Sequence, residues 1–286
     1  MSAIERISEH IWIMHAEHKT DRPILAAICG TKRTLLMDAG NSPVHATLFR
    51  EELAKHGVRL PDLLVLTHWH WDHTFGMSEW ELPTIAQEET ATGLRRLKGL
   101  DGSDEILERL VQEKILSEET VGHIKLEYGT ERNITIMEPD IIFKDSITIE
   151  LGRVTCEVKW VGGDHTSDAC YVYVQQDQVL FLGDALGPSV YGGPRSYTAP
   201  AFLRLLGEAY SYEAKVFVES HGRPMEREAF IQDLNEWEQL ARLVEKYGGD
   251  RERIAEELTA WLKVEELSKD LKRGLEYFMA GLGRGE

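Results

Sequence analysis

The chain has 286 residues, of which 49 are acidic and 32 are basic, so its formal net charge at pH 7 is -17. Its 42% hydrophobic content and nine prolines are typical of a folded protein and exclude disordered, collagen-like and disulfide-scaffold classes. The acidic excess argues against nucleic acid or an anionic membrane surface as a partner, because both reward clustered lysine and arginine.

The first quarter of the chain predicts several strands and one helix. Short β-rich segments lie at residues 11–14, 24–29 and 34–37. Residues 44–56 carry apolar side chains at helical spacing behind Ser42-Pro43, and the apolar run 63–66 predicts another strand. The succession of strand, helix and strand is typical of an α/β protein.

The rest of the chain predicts a helical insertion, more strands and a helical tail. Residues 86–128 have helical patterning and predict two or three helices inserted between strands. Further strands are predicted at residues 134–137, 141–143, 147–151, 154–161, 170–174, 179–182 and 216–218, with one helix at 200–210. After Glu226 almost every residue favours helix, apart from a break at Gly248-Gly249 and a frayed end from Gly281. We therefore expect one domain over residues 1–226, with a helical insertion at about 86–130, and a helical extension over 227–286 packed on the same domain.

The cysteines and the N-terminal segment predict a cytoplasmic location. No run of about 18 apolar residues occurs, and residues 1–10 lack the apolar stretch of a secretion signal. Cys29, Cys156 and Cys170 are odd in number and far apart, which indicates reduced thiols.

The segment 67–73, with the sequence THWHWDH, carries the strongest chemical signal. It places His68, His70, Asp72 and His73 within six residues, directly after the apolar strand. Imidazole and carboxylate groups are metal-ligand types, and His68 and His70, two apart on extended chain, project to the same side. The segment therefore predicts a metal-binding loop.

Three further apolar strands also end in a residue of metal-ligand type. These residues are His165 after the strand 158–161, Asp184 after 179–182 and His221 after 216–218. Loops at the ends of buried strands can hold side chains from distant parts of a chain around one point, and the neighbouring glycines allow close backbone approach. The four strand ends together predict one shared site.

The H-x-H-x-D-H motif, the glycine-flanked histidine, the Gly-Asp pair and the His-Gly pair together resemble the metallo-β-lactamase superfamily over roughly residues 11–222. The resemblance implies a mixed α/β fold, an αββα sandwich with the metal site along one edge of two facing sheets. It implies a first metal ion bound by His68, His70 and His165, and a second bound by Asp72, His73 and His221, with Asp184 bridging the two. Asp38 matches a family position that supports the ligand loop.

The ligand set suits two divalent ions, most naturally Zn²⁺, although iron, manganese and cobalt stay open because ligand type alone does not select the metal. A hydroxide held between two such ions is a nucleophile at neutral pH. We expect Asp72 and Asp184 to be the catalytic carboxylates, with Asp72 orienting the hydroxide as well as binding metal.

These features predict a dinuclear zinc-dependent hydrolase that acts on an ester, a thioester or a lactone. Two alternatives stay open on the same fold: a mononuclear iron enzyme similar to persulfide dioxygenases, and a hydrolase of phosphodiesters or β-lactams. The β-lactam reading is weakened because Asp184 occupies the position that carries a cysteine ligand in some β-lactamases.

Residues near the ligand loops are candidates for substrate binding. Tyr191 and Arg195 follow Asp184 in a segment rich in glycine and proline, and loops at this place contribute a tyrosine or an arginine in related lactonases and thioesterases. Trp71 and Trp69 lie between the ligands and either line the pocket or pack beneath the loop. The helical insertion is placed to cover the cleft as a lid.

The expected partner is a small-molecule substrate, with neither nucleic acid nor membrane. The apolar stripe Leu258, Trp261, Val264, Leu267 and Leu271 in the tail must be buried, either on its own domain or across a homodimer.

Overall fold

A computed structural model of the chain describes residues 4–283. Its strands form two sheets, and the helices cover the outer faces of both. The first sheet has seven strands. In spatial order they are β1 (Ile4–Arg6), β2 (Ile11–Met14), β3 (Leu25–Cys29), β4 (Thr34–Met37), β5 (Leu63–Val65), β6 (Thr84–Gln87) and β7 (Ile141–Phe143).

The second sheet has six strands. In chain order they are β8 (Ser146–Glu150), β9 (Thr155–Trp160), β10 (Cys170–Val174), β11 (Val179–Gly183), β12 (Val216–Glu219) and β13 (Met225–Glu226). Both sheets are antiparallel where hairpins connect neighbouring strands and parallel where a helix intervenes, from β4 to β7 and between β11 and β12.

The helices fall into three groups. Near the first sheet and its ligand loop are α1 (Pro43–Lys55), α2 (Trp71–Thr74) and α3 (Met77–Trp80). The insertion contains α4 (Glu88–Arg96), α5 (Asp104–Gln112) and α6 (Glu118–Tyr128). The remaining helices are α7 (Ala199–Ser211), α8 (Arg227–Tyr247), α9 (Arg251–Leu262) and α10 (Lys269–Gly281).

Apolar packing joins these elements into four layers. Buried side chains from the facing surfaces of both sheets, such as Ile13, Met37 and Val172, form the central core. The outer face of the first sheet packs against α1, α3 and α4, and that of the second sheet packs against α7 to α10. The expected αββα sandwich is therefore confirmed.

The helices of the insertion have an apolar core of their own. Leu107, Leu110 and Ile124 are buried together with Trp71 and Phe75 around the short helix α2. The apolar stripe of the insertion thus packs against the element that follows His70, which fixes α5 and α6 beside the ligand loop.

Most predicted elements lie where the patterning placed them, and β4, β7 and β10 have the predicted bounds. The strand predicted at 134–137 is wrong, since this segment forms no regular element. Ile134 is buried against the helices of the insertion and Ile136 packs near it. The alternating apolar residues of this segment therefore pack against other elements without forming a strand. The strand β6 was missed because its four residues merge into the helical pattern that follows.

The C-terminal tail is helical, as predicted. Leu258, Leu267 and Leu271 are buried against the second sheet's helical layer, whereas Trp261 and Val264 remain exposed. The frayed end predicted from Gly281 falls partly on residues outside the described range. Among residues 4–283, no helix is both long enough and apolar enough to cross a lipid bilayer.

Gly76, at the start of α3, allows a close backbone approach that supports the ligand loop. A Cβ at this position would lie 2.1 Å from the carbonyl oxygen of Ala39. We expect Gly76→Ala to lower the free energy of unfolding by about 1–3 kcal/mol, because backbone has to shift to relieve the clash. Urea unfolding measures the change. Gly122→Ala is the control: a Cβ there meets nothing within 4 Å, and the exposed helical site should gain about 0.5–1 kcal/mol. Equal stability of the two variants would contradict the steric argument.

Candidate metal centre

The first ligand loop is held in place by Asp38, which follows β4. The Asp38 carboxylate accepts a hydrogen bond from the backbone N–H of Thr67 at 2.8 Å and one from its hydroxyl at 2.9 Å. The same carboxylate lies 2.7 Å from Nδ1 of His73. Asp38 is fully buried and has a positive φ of 58°. It therefore connects the start of the loop to its end, in the supporting place that the resemblance implied.

The four predicted strand ends meet at one edge of the sandwich. His68 and His70 lie between β5 and α2, and the loop after β9 brings His165 beside them. One ligand atom from each of these three residues can be chosen so that the atoms lie within 4.8 Å of one another. We call these residues the first cluster.

A second cluster lies next to the first. It contains Asp72, His73, Asp184 and His221, whose ligand atoms also lie within 4.8 Å of one another. Asp72 and His73 come from α2, Asp184 follows β11, and His221 follows β12. The sequence-predicted ligands are thus brought together in the two groups that the resemblance implied.

Asp184 lies between the two clusters. Its Oδ2 atom is 3.5 Å from Nε2 of His165 and 4.0 Å from Nε2 of His68 in the first cluster. The same oxygen is 3.5 Å from Nε2 of His73 and 3.4 Å from Nε2 of His221 in the second. One carboxylate is therefore within reach of cations placed at either cluster.

The imidazoles aim free nitrogen atoms at this point. The Nε2 atoms of His68 and His165 are buried and have no hydrogen-bond partner, whereas Nε2 of His73 lies 3.1 Å from Oδ2 of Asp72. A buried polar atom without a partner is costly, and a metal ion is a natural partner for several that converge.

For His165 and His68, the contact of Nδ1 shows which ring nitrogen carries the proton. Nδ1 of His165 lies 3.1 Å from the carbonyl oxygen of Pro188, which can only accept, so Nδ1 donates and Nε2 keeps its lone pair. Nδ1 of His68 lies 3.1 Å from the hydroxyl of Thr67. Because that hydroxyl donates its single proton to Asp38, it accepts from His68. Both rings thus present the tautomer that a metal ion requires.

The charges of the site also suit cations. Burial lowers the pKa values of His68, His70 and His165, so these imidazoles are neutral. Burial alone would raise the pKa values of Asp72 and Asp184, but His73 and His221 beside them lower both well below the usual range. The site therefore combines neutral nitrogen ligands with ionised carboxylates.

The pKa values of His73 and His221 are shifted upward, opposite to those of the two carboxyl groups. Burial would lower their pKa values, but the carboxylates of Asp72 and Asp184 raise both well above the usual range. In the protein alone, protons on these two rings balance the carboxylates. Divalent cations would replace those protons, so metal binding should release protons and weaken as the pH falls.

A cavity of about 460 Å³ opens onto the two clusters. Tyr191 and Arg195 line it, as do Glu119, Thr120 and His123 of α6. The Tyr191 ring lies 4.6 Å from that of His70, and its hydroxyl is 3.4 Å from Oγ1 of Thr120. Arg195 forms a 2.6 Å ion pair with Glu119. Both predicted substrate residues thus lie at the cavity and contact the insertion.

The two tryptophans of the ligand loop have different surroundings. Trp71 borders the cavity, but only 1% of it is exposed and its ring packs against Phe75 in the core of the insertion. Trp69 donates from Nε1 to the Thr166 hydroxyl at 3.1 Å and from its backbone N–H to Asp168 at 2.8 Å. Trp69 therefore packs beneath the loop, whereas a role for Trp71 in substrate binding stays a prediction.

Residues without a motif also belong to the site. Asp21 lies 3.6 Å from Nδ1 of His221 and 3.5 Å from Nδ1 of His123. Glu219 lines the cavity, and burial together with the charge of Asp184 raises its pKa to about 7. No sequence pattern marks Asp21, because its neighbours come from distant parts of the chain, whereas Glu219 directly follows the apolar run 216–218 and shares the strand-end signal of the ligands.

Comparisons with known proteins agree with this architecture. The family model described as "Metallo-beta-lactamase superfamily" matches residues 26–216, more than half of the chain. A metallo-beta-lactamase from Pontibacter korlensis is 20% identical, with 81% of this chain and 96% of that chain covered and a TM-score of 0.56. The DIM-1 metallo-beta-lactamase is also 20% identical, with 84% and 96% covered and a TM-score of 0.57.

A third similar structure is the stereoselective inverting sec-alkylsulfatase Pisa1 from Pseudomonas sp. It is 15% identical, with 96% of this chain but 47% of that chain covered and a TM-score of 0.60. At these identities, the likeness to solved structures concerns the fold.

Proposed function

Since this chain belongs to the metallo-β-lactamase superfamily, we propose that it is a dinuclear zinc-dependent hydrolase of small-molecule esters, thioesters or lactones. The observation that carries the proposal is the position of Asp184 between two ligand clusters, with a buried imidazole nitrogen of each cluster, Nε2 of His165 and Nε2 of His73, 3.5 Å from its Oδ2. Neither a serine nor a cysteine nucleophile is needed, because zinc lowers the pKa of a bound water to about 7 and so supplies hydroxide at neutral pH.

The residues of the chain have separate tasks in this proposal. His68, His70 and His165 would hold one ion, and Asp72, His73 and His221 the other, with Asp184 shared. Asp72 accepts a hydrogen bond from His221 at 3.0 Å in the protein alone, so its carboxylate already faces the site and can orient the nucleophile. The ionised carboxylates also limit the positive charge that two cations would bring into a partly buried cleft.

Tyr191 is suited to bind the substrate. Burial raises the pKa of its hydroxyl, which therefore stays protonated and can donate a hydrogen bond to a carbonyl oxygen. Arg195 attracts an anionic group if that group replaces Glu119 as its partner.

The test is metal analysis by mass spectrometry and oxygen uptake with a persulfide, both on the protein as purified, followed by a substrate panel on zinc-loaded protein. The panel contains lactones, glutathione thioesters, a phosphodiester and a chromogenic β-lactam, together with a secondary alkyl sulfate because of the likeness to the sulfatase. We expect two zinc ions per chain and fastest turnover of a lactone or thioester. One iron per chain, with oxygen uptake on a persulfide, would overturn the proposal in favour of the oxygenase alternative.

We also propose that the reaction takes place in the cytoplasm on a small molecule, without nucleic acid or membrane. The three free cysteines and the net charge of -17 support this placement.

A further inference from the structure

Three of the ligand histidines share one arrangement, in which Nε2 faces the clusters and Nδ1 faces a partner that orients the ring. The partner is Asp38 for His73, Pro188 for His165 and Thr67 for His68. Such partners fix the tautomer of a metal-binding histidine and increase its basicity.

His221 has the same arrangement, and the residue that faces its Nδ1 is Asp21, which lies outside the ligand motifs. Its Nε2 lies 3.0 Å from Asp72 and 3.4 Å from Asp184, while its Nδ1 lies 3.6 Å from Oδ1 of Asp21. Asp21 and His221 both fall outside the span 26–216 that matches the family model. The matched span therefore does not include the contact between these two residues.

Asp21 is held in its place by several independent bonds. It occupies a turn closed by paired backbone hydrogen bonds between Glu17 and Arg22, each 2.9 Å long, and it has a positive φ of 59°. Asn41 donates to the carbonyl oxygen of Thr20 at 2.7 Å in the interior. Aspartate adopts a positive φ more readily than most other residues, so Asp21 suits this position of the turn.

The turn is also bonded directly to the loop that carries His221. The N–H of Ile24 donates to the carbonyl oxygen of Ser220 at 2.7 Å. On its other side, Arg22 forms two bonds with Glu127 of α6, at 2.7 and 3.1 Å. The turn thus connects the His221 loop to the insertion, and these bonds fix the backbone that carries the Asp21 side chain.

The second oxygen of Asp21 faces the insertion. Oδ2 lies 3.5 Å from Nδ1 of His123, which belongs to α6 and lines the cavity. One carboxylate therefore lies between a predicted metal ligand and a side chain at the wall of the cavity.

We propose that Asp21 is the positioning residue that orients His221 for the second metal ion, and that His123 shares the same carboxylate. The inference rests on the proposed function, since it requires a metal ion at the second cluster. Loss of an orienting carboxylate of this kind typically weakens metal affinity about 10–100-fold.

The test measures zinc affinity by chelator competition for the wild type, Asp21→Asn and Asp21→Gly. Both replacements tolerate positive φ, so the turn can keep its conformation. We expect the second zinc to bind about 10–100-fold more weakly in both variants and the first zinc to bind as in the wild type. This selective loss is a readout that a merely structural role would not produce, because unfolding weakens both ions together.

The matched control is Asp177→Asn. Asp177 forms a 2.8 Å pair with Nδ1 of His10, with 1% of its side chain exposed, at the end of β11 opposite to Asp184. It is therefore a second Asp–His pair far from the clusters, and its loss should leave both zinc affinities unchanged. His123→Gln should bind the second zinc as tightly as the wild type or more tightly, because Asp21 then serves His221 alone.

The outcomes separate this inference from the function on which it rests. If the wild type and both Asp21 variants bind two zinc ions with equal affinities, only the role of Asp21 is overturned. If the wild type binds a single ion, the dinuclear proposal fails and the role of Asp21 fails with it. If His123→Gln lost as much affinity for the second zinc as Asp21→Asn, the role of Asp21 would also be overturned, because the packing of α6 would then control the site.

Discussion

Asp184→Ala should reduce kcat by about 10³-fold or more, equivalent to roughly 4 kcal/mol of activation free energy. Asp184 offers one oxygen atom within 3.4–4.0 Å of four imidazole nitrogens from both clusters. Its removal takes away the carboxylate that lies between the two clusters and leaves cations there without a shared counter-charge. We therefore expect the loss to appear in kcat, with a much smaller change in KM.

Metal analysis should show a matching change. The first cluster keeps its three histidines in Asp184→Ala, so one zinc ion per chain should remain after dialysis against a weak chelator. Asp184→Asn distinguishes charge from volume, because it keeps the size of the side chain and removes the negative charge. Asp177→Asn serves again as the control for loss of a buried carboxylate. Full activity of Asp184→Ala with two bound zinc ions would contradict the bridging role.

The ligand residues could be predicted from the sequence because they lie in the short segments that follow apolar strands. The end of a buried strand has a fixed place at the edge of a sheet, so His165 and His221 inherit their positions from β9 and β12. The sequence signal of a strand end is local, whereas the contacts within the folded site join residues that are distant in the chain. This is why two histidines more than fifty residues apart could be assigned to one site.

The role of Asp21 could not be predicted in the same way. It lies in a turn without apolar periodicity, and its partner His221 is distant in the chain. The contact depends on the hydrogen bond from Ile24 to Ser220, which joins the residue just before β3 of the first sheet to the loop after β12 of the second sheet. Such a pairing is decided by how the two sheets pack, and no residue pattern in either segment records it.

The insertion shows a third situation, in which the elements could be predicted and their orientation could not. Val121 and Ile124 of α6 face the apolar core around Trp71, while Thr120 and His123 face the cavity. The apolar spacing predicts a helix with one buried face. It does not tell which of the adjoining polar residues turns toward the metal clusters, because that depends on ion pairs such as Arg22–Glu127.

Asp38→Ala should strongly destabilise the protein, by about 3–5 kcal/mol, which is the usual cost of leaving one partner of a buried ion pair alone. Asp38 and His73 are both fully buried, at 0% side-chain exposure, and are 2.7 Å apart. The change also removes the acceptor of the Thr67 backbone N–H, which would then be buried without a partner. Urea unfolding of EDTA-treated protein measures the effect without any contribution from metal binding.

Asp38→Asn is the matched variant, because asparagine tolerates the positive φ of this position and keeps an oxygen that can accept from Thr67. We expect it to lose less stability than Asp38→Ala in EDTA but still to weaken zinc binding at the second cluster, since an amide orients His73 less strongly than a carboxylate does. Unfolding of Asp38→Ala at the same urea concentration as the wild type would show that the ligand loop does not depend on this contact. A normal second-site affinity in Asp38→Asn would show that the shape of the Asp38 side chain, rather than its charge, orients His73.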